Sequence, residues 1–277
     1  MWIIGPNGAG KSTTIKIIMG FLFQNSGDVI VNGYNIRTHY EEAMGSLGGI
    51  IENPEMYVDL SARLNLEMYG RLHGNVDKGR INEVAEMVGM QERLSEQIKH
   101  YSLGMKQRIG IAQALLHKPK LLILDEPTNG LDPVGIAQLR TILKYIAKEE
   151  NVAVLISSHQ LMEIQQICDK AAIIDKGRII EIKTMEELLN YKYHGKTYRL
   201  KVSNINYAKL VLDEYFSDAR FVEVENDYII IELFTDTIEQ INKRFVLSDV
   251  LVSEIQPIVT TLEDAYIDIT KGGITIA

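Results

Sequence analysis

The sequence predicts an α/β core followed by a smaller α+β unit. A glycine-rich loop, Gly5-Pro6-Asn7-Gly8-Ala9-Gly10-Lys11-Ser12, stands between a short apolar run and a helical one. Short continuous apolar strands then alternate with helices, as in a sheet covered on both faces. Towards the end of the chain the elements follow the order βαββαβ, which suggests a ferredoxin-like domain.

Taken in order, Met1-Trp2-Ile3-Ile4 supplies the strand before the loop. The run Ser12 to Met19 reads as a helix closed by Gly20. Gly27 to Gly33 reads as strand and turn. From about Met56 to Lys118 the chain is mostly helical: Ile81, Val84, Ala85 and Val88 recur at helical spacing and stop at Gly89. A further apolar run, Ile109 to Leu116, stops before Pro119. Leu121 to Leu124 and Val152 to Ile156 are buried strands. Between them Asp132 and Pro133 form an N-cap and first-turn pair for a helix presenting Ile136, Leu139, Leu143 and Ile146.

Ala171 to Asp175 and Arg178 to Ile182 predict a hairpin around Lys176-Gly177. Thr184-Met185-Glu186-Glu187 is a capping box opening a short helix. The character changes near Tyr191 to Lys196. Tyr198, Leu200 and Val202 then alternate with charged residues; Ala208, Val211, Leu212 and Tyr215 mark a helix. Val222 and Val224 lead through an Asn226-Asp227 turn into Tyr228 to Leu233. Ile238, Ile241 and Phe245 mark a second helix, Val250 to Ile255 a last strand, and a final helix starts at Thr260. The predicted domains are 1–190, with a helical subdomain over about 56–118, and 197–277.

Composition narrows the function classes. The 277 residues, 46% hydrophobic and 24% charged, are typical of a soluble globular protein. No stretch approaches the ~20 apolar residues of a membrane span, and the start does not read as a secretory signal. The net charge of −8, from 29 basic and 37 acidic side chains, argues against a nucleic-acid partner. Cys168 is the single cysteine. It is expected on an apolar helical face with Leu161, Ile164 and Ile167, as a buried structural thiol in a reducing cytoplasm.

The loop fits G-x-x-x-x-G-K-[ST], the phosphate-binding P-loop. Its glycines let the backbone curl so that successive N–H groups face phosphate oxygens. The N-terminus of the following helix adds free donors and partial positive charge at the same spot. Lys11 is expected to reach the β- and γ-phosphates and the Ser12 hydroxyl to ligate Mg²⁺. Leu124-Asp125-Glu126 closes a buried strand with two carboxylates that point different ways. Asp125 would hold Mg²⁺ through its water shell, and Glu126 would act as general base on the attacking water.

Tyr101-Ser102-Leu103-Gly104-Met105-Lys106-Gln107-Arg108, placed before the Ile109 helix, resembles the signature of the ABC ATPases. Asn129-Gly130-Leu131-Asp132 resembles the D-loop of that family, and Ser157-Ser158-His159 its switch histidine. The resemblance covers about Met1 to Leu189. It implies a RecA-like core with a helical subdomain, ATP and Mg²⁺ as ligands, and nucleotide contacts from Gly5 through Thr13. It also implies that Ser102 and Gly104 reach the γ-phosphate held by a second copy, so that two ATPs lie between two subunits. His159 joins Glu126 as a catalytic residue. The implied partners are a second ATPase subunit, as homodimer or pair, and an integral membrane permease. The implied location is cytoplasmic, on the inner face of the membrane.

Two departures from the family pattern stand out. The family carries a further strand pair upstream, with an aromatic that stacks on adenine. The expectation is therefore a truncated start with a weakened adenine grip. Ile50-Ile51-Glu52-Asn53-Pro54 also places Glu52 where the family has a Mg²⁺-ligating glutamine. A carboxylate is likewise a hard oxygen ligand. Glu52-Asn53-Pro54 with Ser102-Leu103-Gly104-Met105 resembles the branch of bacterial exporters for bacitracin and lantibiotics. The alternative is a non-transport or regulatory ABC protein with impaired hydrolysis. The C-terminal unit resembles an accessory domain, with Thr261-Leu262-Glu263-Asp264-Ala265-Tyr266 as its terminal helix.

Overall fold

The computed structural model describes residues 1–74, 76–158, 167–190, 195–258 and 261–272. The chain divides into two compact units, Met1–Met185 and Glu186–Ala277. In the first, β1 (Trp2–Ile4) leads through the glycine-rich loop into α1 (Lys11–Ile18). A small hairpin of β2 (Ile30–Val31) and β3 (Tyr34–Asn35) follows, then α2 (Tyr40–Gly45) and β4 (Leu47–Ile50). The helical stretch holds α3 (Ala62–Leu72), α4 (Lys78–Met87) and α5 (Leu103–Leu115). β5 (Leu121–Asp125), α6 (Pro133–Glu149), β6 (Ala153–Ser158) and the hairpin of β7 (Lys170–Asp175) and β8 (Arg178–Thr184) complete the core.

These strands form one six-stranded sheet in the order β4-β5-β6-β1-β7-β8. The first five are parallel and β8 runs antiparallel to β7. The continuous apolar character of β1, β5 and β7 follows from this: Trp2, Ile3, Ile4, Leu122, Ile123, Leu124, Ala171 and Ile173 are all buried. With β5, β6 and β1 adjacent, the residues at their C-terminal ends gather along one edge, the place where open α/β sheets bind ligands.

Local chemistry explains the helix starts. The Asp132 carboxylate accepts from the Gly135 N–H at 2.8 Å and Pro133 opens α6. The Ser102 hydroxyl accepts from Met105 N–H at 3.3 Å and caps α5. That helix therefore begins at Leu103, well before the expected Ile109. Its first turns are polar and glycine-containing, so apolar spacing alone does not reveal them. Cys168 is buried as expected, but it lies in irregular chain just before β7 rather than on a helix. Leu161 and Ile164 fall outside the described residues.

A short helix, α7 (Met185–Leu189), leads along the chain into the second unit, which holds β9 (Lys196–Val202), α8 (Ile205–Tyr215), β10 (Ala219–Glu225), β11 (Tyr228–Leu233), α9 (Ile238–Leu247) and β12 (Val252–Ile258). Its sheet has the order β10-β11-β9-β12 and every pairing is antiparallel, the ferredoxin-like arrangement. Asn226 and Asp227 both take positive φ, 45° and 69°, as a two-residue hairpin turn requires. Leu200, Leu212, Ile229, Ile231 and Phe245 pack in the core between sheet and helices. A last helix, α10 (Leu262–Gly272), follows Thr261, whose hydroxyl accepts from Asp264 N–H at 3.2 Å. Thr260, the expected start, lies outside the described residues.

Candidate functional site

The glycine-rich loop leaves the C-terminal end of β1 and curls tightly, with Ala9 N–H donating to the Pro6 carbonyl at 3.1 Å. Gly8 and Gly10 take φ of 81° and 105°, open to glycine and strained for other residues. The turn between β7 and β8 braces the loop, Gly177 N–H donating to the Ala9 carbonyl at 2.8 Å. Lys11 is buried, and its ammonium donates to the carbonyls of Gly5 at 2.8 Å and Pro6 at 3.2 Å. It also lies 3.9 Å from the Glu126 carboxylate.

A cleft of about 410 Å³ opens over this loop. Of the predicted contacts, Asn7, Gly8, Gly10, Lys11, Ser12, Thr13 and Glu126 line it, and Asn129 joins them. Gly5, Pro6 and Ala9 shape the loop from behind. The lining suits a polyphosphate. It combines an ammonium, two hydroxyls and the start of α1, and Gly8 faces open space, with nothing within 4 Å of where a Cβ would stand.

Asp125 and Glu126 sit at the end of β5. Asp125 is buried and accepts a hydrogen bond from the Ser157 hydroxyl, its register partner on β6. Glu126 takes a left-handed backbone, φ 50°. Its N–H is shared between the Ser157 carbonyl at 3.1 Å and the Ser157 hydroxyl at 3.0 Å. The sequence shows Ser157 only as a neighbour of His159, and its bridging of both carboxylate residues is not visible there. Asn129 is visible there only as part of a loop, and the fold brings it to the cleft. His159 lies outside the described residues.

The remaining predicted residues stand elsewhere. Ser102 and Gly104 line a second cleft of about 300 Å³, together with Gly130, Leu131 and Asp132. No residue is shared with the lining of the first cleft. Glu52, φ 64°, is exposed, and its carboxylate lies 3.5 Å from the Lys16 ammonium on α1. The loop that carries it is held close to α5: a Cβ on Gly110 would stand 2.4 Å from the Pro54 side chain.

Comparison with known proteins agrees with this geometry. The ABC transporter family matches residues 1–129. The ABC transporter ATP-binding protein YhcH of Bacillus subtilis (strain 168), itself uncharacterised, is 40% identical over 267 residues, covering 96% of this chain and 85% of the relative. The bacitracin transport ATP-binding protein BcrA of Bacillus licheniformis is 39% identical over 272 residues, 98% of this chain and 88% of the relative. The lantibiotic transport ATP-binding protein SrtF of Streptococcus pyogenes is 43% identical over 194 residues, 68% of this chain and 82% of the relative. Among solved structures, cbiO1 from Clostridium perfringens, part of the ABC transporter complex cbiONQ, superposes with a TM-score of 0.64 at 27% identity. It covers 69% of this chain and 79% of its own. The chain belongs to the ABC transporter ATP-binding proteins, the subunits that bind nucleotide and hydrolyse ATP to drive transport.

Proposed function

We propose that this chain powers the export of a peptide antibiotic or similar drug, working as an ATP-bound dimer with a separate integral membrane permease. The dimer rests on one observation. The P-loop residues and the signature residues Ser102 and Gly104 line two clefts with no residue in common. Each cleft is then half of a composite site, and two copies arranged face to face complete both. The exporter assignment draws on the relatives named for bacitracin and lantibiotic transport. Among the described residues no helix is long and apolar enough to cross a membrane, so a permease must carry the cargo. The subunit then sits at the inner face of the membrane.

Within the site, the loop N–H groups, Lys11 and Thr13 hold the triphosphate of ATP. Ser12 and Glu52 would hold Mg²⁺ through their oxygens and Asp125 would hold it through its water shell; the cation would supply charge neutralisation for the phosphates. Glu52 must turn from Lys16 to serve there. Glu126 takes the proton of the attacking water as the water oxygen bonds to the γ-phosphorus and the bridge to the β-phosphate breaks, releasing ADP. His159 and the partner copy's signature steady the transferred group. ATP binding closes the dimer and hydrolysis reopens it.

Glu126→Gln keeps the shape of the side chain but cannot accept the proton. With ATP and Mg²⁺ the variant should elute from size exclusion at twice its monomer mass and hydrolyse little. A monomer under those conditions would refute the sandwich.

A further inference from the structure

We propose that Ser157 is a positioning residue for hydrolysis, acting through both Asp125 and Glu126; this rests on the catalytic reading of those two carboxylates given above. One hydroxyl serves both. It donates its only proton to Asp125 Oδ1 and accepts the Glu126 N–H at 3.0 Å. Ser157 is wholly buried and Asp125 nearly so, so neither can turn to water for a substitute partner.

Two consequences follow for the chemistry. An ionised Asp125 accepts only. With Oδ1 committed to Ser157, its rotamer is fixed and its other oxygen is left to face the cation's water shell. Glu126 is the more demanding case. It holds a left-handed backbone, φ 50°, which non-glycine residues seldom adopt. The doubly accepted N–H pins that conformation, and with it the direction in which the carboxylate leaves β5. Lys11, 3.9 Å from the same carboxylate, bounds it on the other side. Asp125 and Glu126 are thus held by a residue that stands outside the lining of the phosphate cleft.

The test compares Ser157→Thr with Ser157→Val, which are nearly equal in shape and differ in the hydroxyl. Ser157→Ala and Glu126→Gln complete the set. Purified proteins are assayed for kcat and KM for ATP and for the Mg²⁺ concentration giving half-maximal rate, with Tm recorded for each. Positioning residues of this kind change activity or metal affinity by about 10–100-fold. Ser157→Val and Ser157→Ala should therefore lose about that much in kcat, with a raised Mg²⁺ requirement and little change in KM. Ser157→Thr should recover most of the loss at a Tm close to that of Ser157→Val. Equal kcat for the Thr and Val variants, with Glu126→Gln inactive, would overturn the role of Ser157 alone. A Glu126→Gln protein that hydrolyses at the wild-type rate would overturn the reading of Glu126 and this proposal with it.

Discussion

Gly5 is the hinge between β1 and the phosphate loop, and its replacement by alanine is the sharpest test of how that loop is seated. Its backbone does not need glycine, since its φ is not positive. The constraint is space. A Cβ there would stand 2.4 Å from the Ile174 carbonyl oxygen, 2.8 Å from the Ile174 Cγ2 and 3.0 Å from the Ala9 Cβ. The first contact is with backbone of β7, which is tied on one side to β1 and on the other to β8. A rotamer change cannot relieve it, so the loop or the strand must move. Overpacking of this kind costs about 1–3 kcal/mol. In a unit of this size each kcal/mol shifts Tm by roughly 2–4 °C, so the expected loss is about 2–12 °C. Gly45, the last residue of α2, is the control. A Cβ there meets nothing within 4 Å, and alanine should be neutral or stabilise by about 0.5–1 kcal/mol. Scanning calorimetry of Gly5→Ala and Gly45→Ala, each with and without ATP, separates the two. Gly5→Ala should melt lower and lose the stabilisation by nucleotide. A Gly5→Ala protein that melts no lower than Gly45→Ala and still gains Tm with ATP would refute the steric argument.

Other predictions concern titratable groups. His117 stacks on His73 at 4.2 Å, and its Nε2 lies 3.0 Å from the Leu47 carbonyl oxygen. Burial, with smaller contributions from His73 and Arg80, pushes its imidazole below the ordinary value of 6.5, against the pull of the Leu47 carbonyl. The unfolded chain thus takes up that proton first as pH falls. The associated stability is present above about pH 6.5 and lost as pH falls through the folded value. Tm measured from pH 7.5 down to 5.5 should show that decline, and His117→Gln should flatten it. Cys168 is a buried thiol pushed up to about 11 by burial. It should resist a thiol reagent at pH 8 in the native protein and react once the protein is unfolded; rapid native labelling would contradict its burial.

Elements whose residues impose their own geometry were legible in the sequence. Lys11 and Ser12 follow a glycine pattern that permits few other structures, and Asp132-Pro133 and Asn226-Asp227 set a helix start and a hairpin turn by local chemistry. The start of α5 was not legible by apolar spacing, because a capping serine rather than a hydrophobic face begins it. Cys168 was misplaced for the converse reason: apolar residues at helical spacing occur beside it, but the chain has already left for β7. Ser157 escaped notice because its partners lie 31 and 32 residues away. Nothing in a run of two serines announces a hydroxyl shared by two carboxylate residues.

What separates these cases is strand order. The sheet runs β5-β6-β1, so the strand that ends in Asp125 is not the neighbour of the strand that launches the phosphate loop. Adjacent strands lie about 4.8 Å apart, which sets the two roughly 10 Å from each other. That gap is wide enough for a phosphate chain with a hydrated cation beside it, and a direct β1-β5 pairing would close it. β6 forms its floor and carries Ser157 one residue before its end, where a wholly buried hydroxyl fixes the wall on the Asp125 side. Lys11 bridges from the opposite wall towards Glu126. The motifs name the two walls, and only the interposed strand makes a site of them; substitutions at Ser157 therefore probe the fold's contribution to the chemistry separately from that of the motif residues.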